Sequence, residues 1–188
     1  GKILNNYKFN SIINPFGVLY NPESLADNLL MSFSPDTKFE PKLRKSGDLW
    51  FDYRFHGSLS DIDKNKAETW GTSWIYRLKE NNKSVANCHK QNPNLFEREK
   101  IKSDYIFKRY SYLFEEIKKI NKNLKIVLTV SPVRHLKDGF VENQRSKAEL
   151  ILAAEKLENK FKDITYFPSY EILLDELRDY RFSNNDMV

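Results

Sequence analysis

The chain has 188 residues, enough for one domain with a genuine core, and its 40% hydrophobic and 30% charged residues are not those of a disordered protein. The net charge of +5 comes from basic residues scattered among acids, as at Glu97-Arg98-Glu99, which argues for a solvated surface rather than a nucleic-acid footprint. A single cysteine, Cys88, excludes an internal disulfide framework, and no apolar run approaches the length of a membrane span.

In chain order, residues 11–13 (Ser-Ile-Ile) read as part of a strand that runs into the loop Asn14-Pro15-Phe16-Gly17. Asn21-Pro22-Glu23 is a helix start, with Asn as N-cap, Pro at the first helical position and an acid in the first turn. Leu25, Leu29 and Leu30 supply the apolar face of that helix. Residues 33–47 read as a polar linker with two prolines, 48–56 as a strand, and 61–66 as a short helical segment. Residues 69–76 pass from strand to loop around Gly71. Residues 75–78 and 84–87 form a predicted β-hairpin. Residues 103–120 are the clearest helix, because Ile106, Tyr110, Leu113, Phe114, Ile117 and Ile120 recur at three- and four-residue steps. Residues 124–130 form a short apolar, β-branched run that Ser131-Pro132 ends abruptly, the pattern of a buried parallel strand. A second amphipathic helix is predicted over 146–161, through Leu150, Ala153, Ala154 and Leu157. A strand over 164–167 and a short helix over 170–177 follow. Helix, strand, helix, strand, helix in the second half implies βαβ units and a parallel sheet, with a right-handed crossover.

Several residues have types and positions suited to chemistry. Gly17, after a strand, lets backbone approach a ligand closely and offers its N–H, or it serves an ordinary turn. Gly71, Thr72 and Ser73 pose the same choice: an anion nest of backbone N–H groups, or a loop beside the core residues Trp70 and Trp74. Asn87-Cys88-His89 lacks a second cysteine at zinc spacing, so no metal is expected. His89 reads as a lone pocket or surface histidine. Arg134 and His135 follow the strand at the carboxyl edge where open α/β sheets bind ligands, and cannot be buried unpaired without heavy cost. They reach solvent or face a polar pocket. Residues 178–182 (Arg-Asp-Tyr-Arg-Phe) have the pattern of a surface ion-pair cluster.

Taken together, NPFGVLYNP (14–22), WGTSWIY (70–76), VANCHK (85–90), TVSPVRHLKDG (129–139), ENQRSKAELILA (142–153), YFPSYEILLDELRDYRF (166–182) and DMV (186–188) resemble the GSCFA family, a group related to the SGNH (GDSL-like) hydrolases. The resemblance implies a single domain over 1–188 with an α/β fold: a three-layer α-β-α sandwich, a mainly parallel central sheet and a small β-hairpin insertion. The domain is expected to lack the family's Gly-Ser-Cys-Phe-Ala box at one end and the His-Pro-Ser that follows Asp-Met-Val at the other. A gap is expected near 67–68, where the family has a further helix and the start of a strand. The implied chemistry is hydrolysis of an acyl ester, on a carbohydrate, by a Ser-His-Asp mechanism. Asp186 matches the aspartate of the Asp-x-x-His arrangement. Gly17 N–H matches the oxyanion donor of the second SGNH block. The third block's asparagine is absent after Gly71, so Ser73, Asn87 or His135 stands as its substitute. The substrate-binding set is Asn14, Gly17, Gly71, Thr72, Ser73, Asn87, His89, Arg134 and His135. An acyltransferase acting on glycans, or a non-catalytic glycan-binding scaffold, fits the same residues. The expected partner is a small-molecule or glycan acyl ester, with no cofactor, nucleic acid or membrane. One thiol and no visible leader point to the cytoplasm.

Overall fold

The computed structural model describes residues 19–33, 44–46, 49–54 and 70–177. The predicted strand at 11–13, the helical segment at 61–66, the cluster at 178–182, and Asn14, Gly17 and Asp186 all lie outside them.

Helix α1 spans Pro22–Phe33. Its start follows from Asn21, whose Oδ1 accepts from Ser24 N at 2.8 Å and so satisfies a backbone donor that the helix cannot. Strands β1 (Arg44–Ser46) and β2 (Leu49–Phe51) pair antiparallel, with Ser46 opposite Leu49. Residues 44–46 fall within the stretch 33–47 whose sequence reads as a linker. Three polar residues carry no apolar periodicity, and only the partner strand reveals them.

Strands β3 (Trp74–Leu78), β4 (Lys83–Val85) and β5 (Phe96–Lys100) form an antiparallel sheet in the order β4-β3-β5. The β3–β4 pair is the predicted hairpin, with β4 ending two residues early. β5 was not foreseen, because Phe-Glu-Arg-Glu-Lys reads as charged surface. Its period of two is nonetheless present, with Glu97 and Glu99 exposed while Arg98 and Lys100 lie over Trp74. Leu78, Val85 and Phe96 make a small core cluster beneath this sheet.

Helix α2 (Ser103–Ile120) occupies its predicted span. Ile106, Tyr110, Leu113, Phe114 and Ile117 are buried, whereas Ile120, the last residue of the helix, is exposed. Strand β6 (Ile126–Thr129) pairs in parallel with β7 (Ile164–Phe167), and helix α3 (Gly139–Lys160) connects them. Trp70 bridges Val130 in parallel on the other side, so β6 is the middle of three parallel segments. Among the described residues, parallel pairing is confined to this group. The strand is not buried on both faces. Leu128, Val130 and Ile164 join the core with α2 and α3, while Val127 and Phe167, on the alternate face, are exposed. The chain is thus mixed α/β, with helices against one face of its parallel strands. The last described segment is a short helix, α4 (Ser169–Glu171), that loosens into a π-helical turn over Ile172–Glu176.

Candidate active-site cleft

Helix α3 begins at Gly139, seven residues before the predicted start. Gly139 has φ of +83°, a conformation open to glycine and strained for other residues. The added turns carry Asn143, and the first turn of the predicted span carries Ser146 and Lys147, all three buried on the same stripe as Leu150, Ala153, Ala154 and Leu157. Where the stripe meets the core its residues are apolar. Where it passes under the ends of the parallel strands they are polar, and each holds loop backbone.

Ser146 organises residues 72–74. Its Oγ accepts from Ser73 N at 2.8 Å and from Ser73 Oγ at 3.0 Å, leaving its own proton for Thr72 Oγ1 at 3.1 Å. Thr72 Oγ1 also accepts from Trp74 N. Lys147 is 1% exposed, and its Nζ donates to the carbonyls of Gly71 (2.5 Å) and Ser131 (2.6 Å). It therefore ties together the segments that leave two adjacent parallel strands. Burial pushes its pKa down to about 7, since the ammonium has lost its water. Asn143 Oδ1 accepts from His135 N at 2.8 Å. Sequence reasoning missed all three residues. The available signal was a set of polar residues at 143, 146 and 147 continuing the spacing of the apolar stripe from 150 onward.

These supports bring Gly71 and His135 together. A Cβ at Gly71 would sit 3.1 Å from His135 Nε2 and 3.2 Å from the Tyr20 carbonyl oxygen, so any other residue would force one of them to move. The N–H groups of Gly71 and Thr72 both point to that carbonyl, at 2.8 and 3.0 Å, and the third member of the expected nest, Ser73 N, is taken by Ser146. The rings of Tyr20 and His135 meet edge to face at 5.6 Å. His135 Nε2 is buried with no hydrogen-bond partner, an expensive state for a polar atom. Burial, and secondarily the charge of Lys147, lower its pKa to about 4, so the imidazole is neutral at pH 7.

The loop residues open onto a cleft of about 530 Å³, whose walls include Thr72, Trp74, Asn87, Arg134, His135 and Lys137. Four of the predicted residues, Thr72, Asn87, Arg134 and His135, line it together. Ser73 is fully buried beneath it. His89 is not among its walls: its Nε2 donates to the Asp52 carbonyl at 3.2 Å, and its ring faces Tyr53. Cys88 does line the cleft, and burial raises its thiol pKa. Strand alternation does not separate Cys88 from His89, because β4 has already ended. His89 and Lys90 instead have φ of 49° and 55°, forming a left-handed turn closed by His89 N donating to Asn87 Oδ1 at 2.7 Å. Trp70 belongs to the core, where its Nε1 donates to Tyr110 Oη at 2.9 Å.

A second cavity of about 540 Å³ lies between α1 and the β3–β4 hairpin. Three ion pairs line it: Arg77 with Glu23, Arg109 with Asp27, and Arg54 with Asp52. No group of three or more His, Cys, Asp or Glu side chains among the described residues is arranged to hold a metal. None of the helices among the described residues is long and apolar enough to cross a membrane.

The model of the GSCFA family matches residues 1–68 and 67–188, two stretches that together span the chain. No curated protein and no solved structure matches it.

Proposed function

The chain belongs to the GSCFA family, and on that premise we propose that it is the body of an SGNH-like serine esterase that hydrolyses an acyl ester on a carbohydrate. In this reading the parallel strands at Trp70, β6 and β7 are part of a three-layer α-β-α sandwich. The carboxyl ends of the first two form the floor of the substrate cleft. The family's serine attacks the ester carbonyl, the histidine that follows Asp-Met-Val takes its proton, and Asp186 orients that histidine.

The supporting observation is the orphaned nitrogen of His135 against Gly71. An imidazole that protonates only near pH 4 is too weak a base to take the serine proton, but in its Nε2–H tautomer it is a competent neutral donor. Of the three substitutes for the missing asparagine, Ser73 has its hydroxyl bound to Ser146, while Asn87, whose carbonyl oxygen accepts from His89 N, keeps its Nδ2 as a further donor on the cleft wall. His135 has a buried donor site with nothing to satisfy it, which a developing oxyanion would fill. Gly17 N–H is its proposed counterpart.

The test uses protein that carries the family's serine and histidine boxes. A fluorophosphonate probe is expected to label the serine. Asp186→Asn should lower p-nitrophenyl acetate turnover by about 10⁴-fold, and His135→Ala by about 10²-fold, with circular dichroism unchanged. A folded protein that neither reacts with the probe nor loses turnover on these substitutions is not a serine esterase.

A further inference from the structure

Among the described residues Lys147 is the most deeply buried charged side chain. Its hydrogen bonds there go to two carbonyl oxygens, those of Gly71 and Ser131, and it forms no ion pair. Neutral side chains suffice to hold loop backbone from the same stripe, as Asn143 and Ser146 do for His135 N and Ser73 N. An ammonium in that position loses its water, a penalty that a neutral residue avoids. Desolvated ionisable groups of this kind concentrate where chemistry uses their field.

The Gly71 residue sets what that field acts on. His135 Nε2 stands 3.1 Å from where a Cβ on Gly71 would sit, and Lys147 Nζ lies 2.5 Å from the Gly71 carbonyl oxygen. The orphaned ring nitrogen and the ammonium are thus gathered on one residue. The charge of Lys147 already disfavours an imidazolium at His135. The same field favours a negative oxygen bonded to His135 Nε2, because a Coulomb interaction changes sign with the charge. Proton counting separates this field from the scaffold. An ammonium has three N–H groups and a neutral amine two, and two are enough for both carbonyls. Loss of the proton therefore removes the charge and leaves the tie. The titratable groups facing Lys147 are His135 and, on α4, Tyr170, whose ring is 5.9 Å from Nζ and whose hydroxyl is in the field of Arg134, Glu171 and Asp175. Burial, rather than any of these charges, lowers the proton affinity of Lys147.

We propose that Lys147 is a positioning residue for the oxyanion: its ammonium, fixed against Gly71 by two strand-end carbonyls, stabilises a negative oxygen held at His135 Nε2. This inference rests on the reading of the Gly71–His135 pocket as the oxyanion site, but not on an ester being hydrolysed there.

Two measurements test it. In protein that carries the family's serine and histidine boxes, kcat/KM for p-nitrophenyl acetate is compared between the unaltered chain and Lys147→Met at pH 6 and pH 9. The ratio of the two cancels the titration of the base. It should be about tenfold larger at pH 6 than at pH 9, where the unaltered lysine has lost its charge. A lysine that serves only as scaffold gives the same ratio at both. The second measurement needs neither a variant nor turnover. Acetate, ionised throughout this range, is titrated into the unaltered chain and followed by NMR at the His135 ring. It should bind about tenfold more tightly at pH 6 than at pH 9, and the loss should track the titration of the Lys147 Cε resonance, with a midpoint of about 7. A ratio that does not change with pH, acetate binding that does not follow Lys147, or no effect of acetate at His135 overturns the inference. Acetate binding that follows Lys147 in a protein without turnover upholds it and counts against the esterase reading alone.

Discussion

His135 shows how neighbours several turns away in sequence define one side chain. Asn143 fixes its backbone, Tyr20 packs against its ring, Gly71 admits its Nε2, and Lys147 adds a positive charge nearby. All four favour or tolerate a neutral imidazole. The chain has three histidines, so their ring protons can be resolved by NMR. His135 should titrate near pH 4, well below an ordinary histidine at about 6.5. The stability consequence has a definite sign. Between pH 4 and 6.5 the unfolded chain binds a proton at this residue that the folded one does not, so stability falls as pH drops through that window, and His135 adds no pH dependence above it. A His135 that titrates at or above 6.5 would place it in contact with water or a carboxylate, against the burial described. The sequence identified His135 as polar at a strand's carboxyl edge. Its neutrality comes from residues 20, 71 and 147, which no local window includes.

At the scale of elements, α3 joins two functions along one stripe. Leu150, Ala153, Ala154 and Leu157 are fully buried, and the alanines let α2 approach closely. Asn143, Ser146 and Lys147, one to two turns earlier, replace those apolar contacts with hydrogen bonds to the loops after Trp70 and β6. Lys147 carries the largest opposing terms. Its ammonium satisfies two strand-end carbonyls that would otherwise be orphaned, yet burying the charge lowers its pKa from 10.5 to about 7. From pH 7 upward the folded state sheds that proton before the unfolded state does, so stability rises with pH across the interval. Denaturant unfolding at pH 7 and pH 9, below the range of the tyrosines, should show this rise in the unaltered chain and its loss in Lys147→Met. Equal pH dependence in both would mean that the lysine is not desolvated. The apolar half of α3 was readable from periodicity. The polar half was not, because a buried Ser or Lys has the same letters as a solvated one.

At the scale of the whole molecule there are two cores of unequal size. The larger gathers α1, α2, α3, Trp70, Ile75, β6 and β7, whereas Leu78, Val85 and Phe96 form a separate cluster under the antiparallel sheet. The ion pairs Arg98–Asp138 and Lys100–Glu142 link β5 to the start of α3, but partly exposed pairs contribute only about 0–1 kcal/mol each. Strand β4 of the hairpin, which gives the larger core no residue and pairs only with β3 among the described strands, therefore has less holding it than the helices do. Native-state hydrogen exchange should show the amides of α2, α3 and β6 opening only with global unfolding, and those of Lys83–Val85 at least about 10²-fold faster through local opening. Uniform protection across both regions would show a single cooperative unit. Because the cleft lies between this hairpin and the 133–137 segment, such local opening changes its width.

What the sequence determined by itself was whatever depends on short-range pattern. Apolar spacing of three and four residues set α2, β-branched runs closed by Pro132 and Pro168 set β6 and β7, and the Asn-Pro-Glu start set α1. Each of these is decided by neighbours within a turn or two. The motif boxes likewise carried the family assignment. The tertiary structure alone decided which polar residues went inside. It placed β1 and β5, whose polar letters need a partner strand to become sheet, and it exposed one face of β6. It also brought Thr72, Asn87, Arg134 and His135 to one cleft. These outcomes depend on which distant segments pack together, and free energies of burial and charge are properties of that packing rather than of any stretch of chain.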